Sequence, residues 1–313
     1  MHVLGIDAGG TKTVCLLADE QGTVLARAQG SGANLPSLGE LEVEKTLHHL
    51  MEEAIGQTTI VPQAICIGIA GVDREEDAAI IRAIMRRIGY RARLVVTNDA
   101  LIALTAGVGD APGVVVMAGT GSIAYGRNAR NEAARAGGWG YVLGDEGSGY
   151  WMGRHALRAV VRAADGRGGS TALTRHVLAH FGVDQPQDLV REVYHRALRP
   201  SAIAALAAAV QRAHDEGDVM ATAILEQGAG ELMACAASVV AQLGMAHDAF
   251  PFVLAGGVVH AVPVLVSSLT ERLPTVAPGS SSHVLTQEPA HGAVSMALAE
   301  ARGGARLPRY KTA

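Results

Sequence analysis

The sequence predicts two α/β domains of related plan, with ligands bound in the cleft that such a pair leaves. Three observations carry this. The chain opens on a strand–glycine turn–strand unit over 3–18. A similar unit recurs over 114–127, which points to an internal duplication. After each unit, apolar strand runs alternate with stretches of helical spacing. A length of 313 residues, at roughly 150 per domain, accommodates two such domains.

Val3 to Asp7 is an apolar strand broken by Gly9 and Gly10. Thr13–Ala18 and Thr23–Ala28 follow, joined by a hairpin turn at Glu20-Gln21-Gly22, and such short links imply antiparallel pairing. Glu42–Ile55 carries Val43, Leu47, Leu50, Met51 and Ala54 on one helical stripe. Ala64–Ile69 is a strand. A helix starts at Asp73 with Ile80, Ile81, Ile84 and Ile88 on its apolar face, and five arginines cluster nearby as either a solvated face or an anion patch. Leu94–Thr97 is a strand leading into a helix from Ala100 to Ala106. Val114–Met117 and Ile123–Arg127 are strands. Helices are expected over 149–163, 171–181, 188–198, 201–214 and 219–243. The remainder reads as strand 252–255, helix 262–273, strand 284–286 and helix 291–301.

A net charge of −4 argues against a nucleic-acid or anionic-membrane partner, which needs a basic excess. With 18% charged and 49% hydrophobic residues the chain is globular rather than disordered. Cys15, Cys66 and Cys235 are odd in number, far apart and set among apolar residues, so they read as core thiols in a reducing compartment. No signal peptide opens the chain, and apolar stretches are interrupted before the ~20 residues a bilayer span needs. A soluble, cytoplasmic protein is expected.

Five strand-end motifs carry chemistry. In Asp7-Ala8-Gly9-Gly10-Thr11-Lys12-Thr13, glycines let backbone N–H groups approach anionic oxygens, Thr11 and Thr13 can donate, and Asp7 can hold Mg²⁺ through water. The segment joins strand to strand, which sets it apart from the Walker loop. Asp99, in Thr97-Asn98-Asp99-Ala100, is either a helix N-cap or a general base for a substrate hydroxyl. Gly119-Thr120-Gly121-Ser122 repeats the glycine–hydroxyl pattern. A strand follows it where a dinucleotide fold would place a helix, so NAD is rejected. Gly138-Trp139-Gly140 and Asp145-Glu146 form a glycine-dense bend whose carboxylates suit paired sugar hydroxyls. Trp139 either stacks on a sugar or belongs to the core. Gly256-Gly257 leaves a flat slot for a nucleobase or ribose.

As an ordered set these motifs resemble the actin-like ATPase and sugar-kinase superfamily. The combination of 97–100 with 138–140 and 144–148 is similar to the N-acetylglucosamine kinase branch of the BadF/BadG/BcrA/BcrD ATPase family, over nearly the whole chain. The resemblance implies two ribonuclease-H-like (actin-like ATPase) domains with an interdomain cleft: 1–107, completed by a C-terminal helix over 290–303, and 108–289. It implies ATP-dependent phosphorylation of an amino sugar at the 6-hydroxyl. N-acetylglucosamine is the leading acceptor; glucosamine, N-acetylmuramic acid and N-acetylgalactosamine remain open. Asp99 would be the base. Asn34, Ser122, Gly138, Trp139, Gly140 and Asp145 would line the sugar. Gly9, Gly10, Thr11, Lys12, Thr13, Gly119, Thr120, Gly121, Gly256 and Gly257 would hold ATP, with Mg²⁺ at Asp7, and the protein would be a homodimer. The alternative is an ATPase activator of a 2-hydroxyacyl-CoA dehydratase-type enzyme, whose iron–sulfur cluster needs positioned thiolates; the apolar settings of Cys66 and Cys235 speak against it. A third, a nucleotide-binding scaffold of the actin type, lacks polymer-forming insertions. The CxCGxxGC zinc cluster of the related ROK kinases is absent from the sequence.

Overall fold

The computed structural model describes residues 1–56, 60–72, 74–195 and 198–311. The chain divides into two compact units. The first comprises Met1–Val115, Tyr125–Ala134 and Leu285–Ala313; the second comprises Val116–Ala124 and Arg135–Val284.

The first sheet has the order β3-β2-β1-β4-β5, built from β1 (His2–Ala8), β2 (Lys12–Asp19), β3 (Val24–Ser31), β4 (Ala64–Ile69) and β5 (Arg93–Thr97). β1–β2 and β2–β3 are antiparallel, whereas β1–β4 and β4–β5 are parallel. Short α1 (Leu35–Leu38), then α2 (Glu40–Ile55), α3 (Glu75–Arg87) and α4 (Asp99–Val108) complete the connections. One face is dry core: Leu4, Ile6, Cys15, Leu17 and Ile67 meet Leu47, Leu50 and Met51 of α2 and Ile81 and Ile84 of α3. α1 was not evident in the sequence. Asp73, the expected start of α3, lies outside the described residues.

The second sheet has the order β10-β9-β6-β7-β8-β11, with β6 (Gly113–Ala118), β7 (Ser122–Arg127), β8 (Glu132–Gly137), β9 (Pro251–Ala255), β10 (Ser281–Val284) and β11 (Arg309–Tyr310). Leaving β11 aside, β8-β7-β6-β9-β10 repeats the order β3-β2-β1-β4-β5. The duplication seen in the opening strands therefore extends to the sheets, and the order is that of a ribonuclease-H-like fold given twice.

The helices that follow are α5 (Gly149–Ala164), α6 (Leu173–Phe181), α7 (Pro200–Ala204), α8 (Ala207–Asp215), α9 (Val219–Leu243), α10 (Gly257–Ala261), α11 (Pro263–Arg272) and α12 (Ala290–Ala301). Several expectations need correction. The helix over 188–198 is instead a 3₁₀ turn at Pro186–Asp188 and a π segment at Arg191–His195, and 196–197 lie outside the described residues. The helix over 201–214 is two, α7 and α8. The strand expected at 284–286 ends at Val284, because its pairing partners on β9 are Pro251 to Leu254. β8 and β11 were not foreseen. Contrary to the sequence reading, α9 is long and apolar enough to cross a membrane by length and composition, because its alanines raise hydropathy without bulk; 50% of its most apolar window is buried inside the protein.

Candidate functional site in each unit

In the first unit the site starts from the alternation of β1. Leu4, Ile6 and Ala8 face the core under α2 and α3, so Gly5 and Asp7 face the other way. α12 crosses that second face so closely that a Cβ on Gly5 would collide with the backbone of Val294. Gly68, the β4 partner of Asp7, abuts Ile102 of α4 with equal closeness. Asp7 is thus carried at the strand end on the face where α4 begins.

Asn98 caps α4: it is extended at φ −76° and ψ 159°, and its side chain accepts from the Leu101 N–H at 2.7 Å. The capping role left open for Asp99 therefore belongs to its neighbour. Asp99 is the first helical residue, half-buried, and close enough to act on Asp7. The Asp7 carboxyl, 8% exposed, is pushed up to about 7, first by burial, then by the charge of Asp99, with Glu288 adding and Lys12 opposing. Glu288 accepts from Arg27 Nε at 2.9 Å and from a second Arg27 nitrogen at 2.8 Å, and lies 3.5 Å from Lys12 Nζ. Three carboxylates and two cations thus meet beside the first glycine turn.

That turn is closed by Gly9 N–H donating to Lys12 O at 3.0 Å. The loop 31–34 lies on it: Ala33 N–H donates to Gly9 O at 3.1 Å, and Gly32 packs against Gly10 O. Asn34, half-buried, donates to Ala70 O at 3.4 Å. Thr11 and Lys12 are exposed. Thr13, expected among the nucleotide contacts, is 0% exposed inside β2. Its hydroxyl has no partner among the described residues.

In the second unit β6 and β9 are neighbours, which sets their terminal turns side by side. Gly256, at φ +102°, packs onto the backbone of Ala118, where any side chain would collide. Gly119 N–H donates to Gly121 O at 2.9 Å, and Gly149 N–H and Tyr150 N–H at the start of α5 donate to Gly119 O and Thr120 O at 2.8 and 3.3 Å. Asp145 binds the bend to this turn. Its carboxylate accepts from the backbone N–H groups of Ser122 and Gly140, and its Oδ2 lies 2.6 Å from where a Cβ on Gly121 would stand. It is 7% exposed, holds φ +61°, and burial pushes it up to about 6, with Glu146 adding.

Ser122 is buried and donates to Glu146 O at 2.7 Å, while Gly138 N–H donates to Ser122 O at 2.9 Å. Trp139 is 60% exposed, with the Arg135 guanidinium 5.1 Å from its ring centroid, so it is not the core residue that the sequence left open. A cavity of about 100 Å³ is lined by Tyr141, Gly144, Glu146, Tyr150 and Arg154 among others.

The glycines sort into two kinds. Gly256 is demanded by the fold. At Gly10 and Gly257 an added Cβ would meet nothing within 4 Å, and at Gly119 only atoms 4.0 Å away. None of these three has positive φ. Side chains are absent there for no reason internal to the fold, which suits a ligand that approaches the backbone closely.

A model of the BadF/BadG/BcrA/BcrD ATPase family matches residues 4–297. The chain belongs to this family. Among family relatives, it is 36% identical over 302 residues to the N-acetylmuramic acid/N-acetylglucosamine kinase of Clostridium acetobutylicum, covering 96% of this chain and 99% of that one. It is 31% identical over 309 residues to the N-acetyl-D-glucosamine kinase of Dictyostelium discoideum, covering 94% and 97%. A solved structure from Chromobacterium violaceum, to which N-acetylglucosamine kinase activity has been ascribed, superposes with a TM-score of 0.78 at 30% identity, covering 94% of this chain and 97% of that one. The activator alternative meets a physical obstacle: Cys15 and Cys66 are wholly buried, Cys235 is half-buried, and burial pushes all three thiols up, whereas cluster ligation needs thiolates.

For an ATPase of this family the open space at Gly10 makes a direct test. Gly10→Ala is expected to leave stability within about 0.5 kcal/mol and to weaken binding of a non-hydrolysable ATP analogue by about tenfold, the value of roughly one backbone hydrogen bond. Calorimetric titration and a thermal melt read the two effects. Sequence reasoning missed Glu288, Arg135 and Asn98 as participants; Glu288 lies far along the chain, and only packing brings it to Lys12.

Proposed function

We propose that the protein is an ATP-dependent hexosamine kinase that phosphorylates the 6-hydroxyl of N-acetylglucosamine. The observation that carries this is Asp99: a carboxylate on the first turn of α4, relieved of capping by Asn98 and near enough to Asp7, at the end of β1, for its charge to raise the Asp7 carboxyl. Asp99 accepts the proton of the sugar hydroxyl as its oxygen bonds to the γ-phosphorus and the bond to the β–γ bridging oxygen breaks, releasing ADP. Lys12 and the Gly10 amide of the first glycine turn bear phosphate charge, the Gly9 N–H being held by Lys12 O. In the second unit, Asp145 and Trp139 receive the sugar, while Gly119, Thr120 and Gly257 receive the nucleotide.

Mg²⁺ suits this donor set. Among the described residues no group of three His, Cys, Asp or Glu could hold a metal by itself, and Mg²⁺ ordinarily binds through one or two carboxylates together with water and substrate phosphates. Asp7, whose ionised form is disfavoured by burial and by two neighbouring acids, is the residue that would hold it. When bound, Mg²⁺ supplies positive charge to the phosphate oxygens.

The pH dependence follows from Asp7. Its carboxyl is raised in the folded protein from 3.8 to about 7, so the folded state holds a proton that the unfolded state has lost. That contribution to stability is full below about pH 4 and disappears as pH rises through 7; Asp145, raised to about 6, acts in the same direction. The unliganded protein is expected to lose thermal stability from pH 5 to pH 8, while added MgATP stabilises it increasingly over the same interval. Melting curves with and without MgATP test this, and MgATP stabilisation independent of pH removes Asp7 from the metal role.

A sugar panel with coupled ADP detection tests the function. N-acetylglucosamine is expected to give the highest kcat/KM among N-acetylmuramic acid, glucosamine and N-acetylgalactosamine, and phosphorus NMR of the product should show a 6-phosphate. ADP release unaffected by any sugar would overturn the kinase reading.

A further inference from the structure

The segment after α12 reaches the neighbourhood of Asp99. It lies beyond residue 297, where the family match ends. β11 runs parallel to β8, pairing Arg309 with Glu132 and Tyr310 with Ala133. Arg309 N–H donates to Asn131 O at 3.1 Å and Lys311 N–H to Ala133 O at 2.9 Å; Asn131 Nδ2 donates to Leu307 O at 3.3 Å. The Tyr310 ring stands edge-on to buried Tyr125, centroids 6.1 Å apart and planes at 87°. These contacts aim its hydroxyl at Asn98, whose Nδ2 donates to it at 3.1 Å.

Asn98 is 6% exposed and is gripped at both ends of its amide. Oδ1 accepts from the Leu101 N–H at 2.7 Å, and Nδ2 donates to Tyr310. The first contact starts α4; the second fixes the amide plane that makes the first. Asp99 is the next residue, the first of α4, so its backbone lies within the turn that this cap closes. We propose that Tyr310 is a positioning residue for Asp99, acting through Asn98 and delivered by the β11 strap. It touches no reacting atom. Its hydroxyl sets the cap, and the cap sets the carboxylate.

This rests on the kinase reading above, and the experiment keeps the two apart. Tyr310→Phe removes the hydroxyl and keeps the ring against Tyr125. It is expected to lower kcat by about tenfold, within the cost of misplacing a reacting group by less than 1 Å, with KM for sugar and ATP at wild-type values and a melting temperature lowered by a few degrees at most, the cost of a buried amide donor without its acceptor. In an Asn98→Ala background the same change is expected to have no further effect, because the two side chains act as one unit. A Tyr310→Phe protein with wild-type kcat, one whose loss lies in KM, or a fully additive cycle overturns the proposal. Wild-type turnover in Asp99→Asn would instead remove Asp99 from its role as base, and only ADP release unaffected by any sugar would overturn the kinase reading itself.

Discussion

Asp99→Ala is expected to lower kcat by about 10²–10⁴-fold, the ordinary contribution of a positioned general base. ATP binding should be largely retained, because the residues assigned to phosphate lie on the Gly9–Gly10 turn and not on α4. Stability should change little, since the helix cap is Asn98 and its bond to the Leu101 N–H survives the substitution. Removing the Asp99 charge also relieves one of the influences that raise Asp7, so the Asp7 titration should move down in the variant. Steady-state kinetics, calorimetric titration with an ATP analogue and melting curves separate these consequences. Full turnover in a folded Asp99→Ala protein would remove the residue from its role.

A second large effect is expected at Asp145. Asparagine is the informative replacement, because it tolerates the φ of +61° that most side chains resist. The amide keeps an acceptor for one of the two backbone N–H groups now bound, from Ser122 and Gly140, and loses the charge offered to the sugar. Two charge-assisted hydrogen bonds at about 1.5 kcal/mol each correspond to a fall of about 10²-fold in kcat/KM for the sugar, with KM for ATP unchanged. Asp145→Ala adds a conformational penalty at the positive φ and should lower the melting temperature as well. Unaltered sugar kinetics in Asp145→Asn would leave the residue a structural tie between the bend and the Gly119 turn, and nothing more.

Much of the fold was legible because the informative signals were local. Apolar runs such as Ala64–Ile69, identical in sequence reading and structure, and the stripe on α2 follow directly from period. β8 was missed because Glu132–Gly137 contains no β-branched or aromatic residue; sheet neighbours, not propensity, make it a strand. The helix over 188–198 failed because its periodicity does not reveal the π segment. At the candidate site, the glycine turns and Asp99 were visible as motifs at strand ends. Which glycines the fold itself demands was not, since that depends on what a Cβ would meet. Asn98 and Asp99 were indistinguishable as caps from sequence alone, because both residue types serve. Thr13 looked like a donor, yet strand alternation from Lys12 turns it inward. Tyr310 carried no signal at all, being a single aromatic in a polar tail.

The unequal pair at 256–257 has a consequence for engineering nucleotide preference. Gly256 is locked by the Ala118 main chain, so variation there would shift two loops at once and report only damage. Gly257 borders empty space, so, with the nucleotide placed there as proposed, side chains of graded size at that one site would tune donor preference while the scaffold stays as it is.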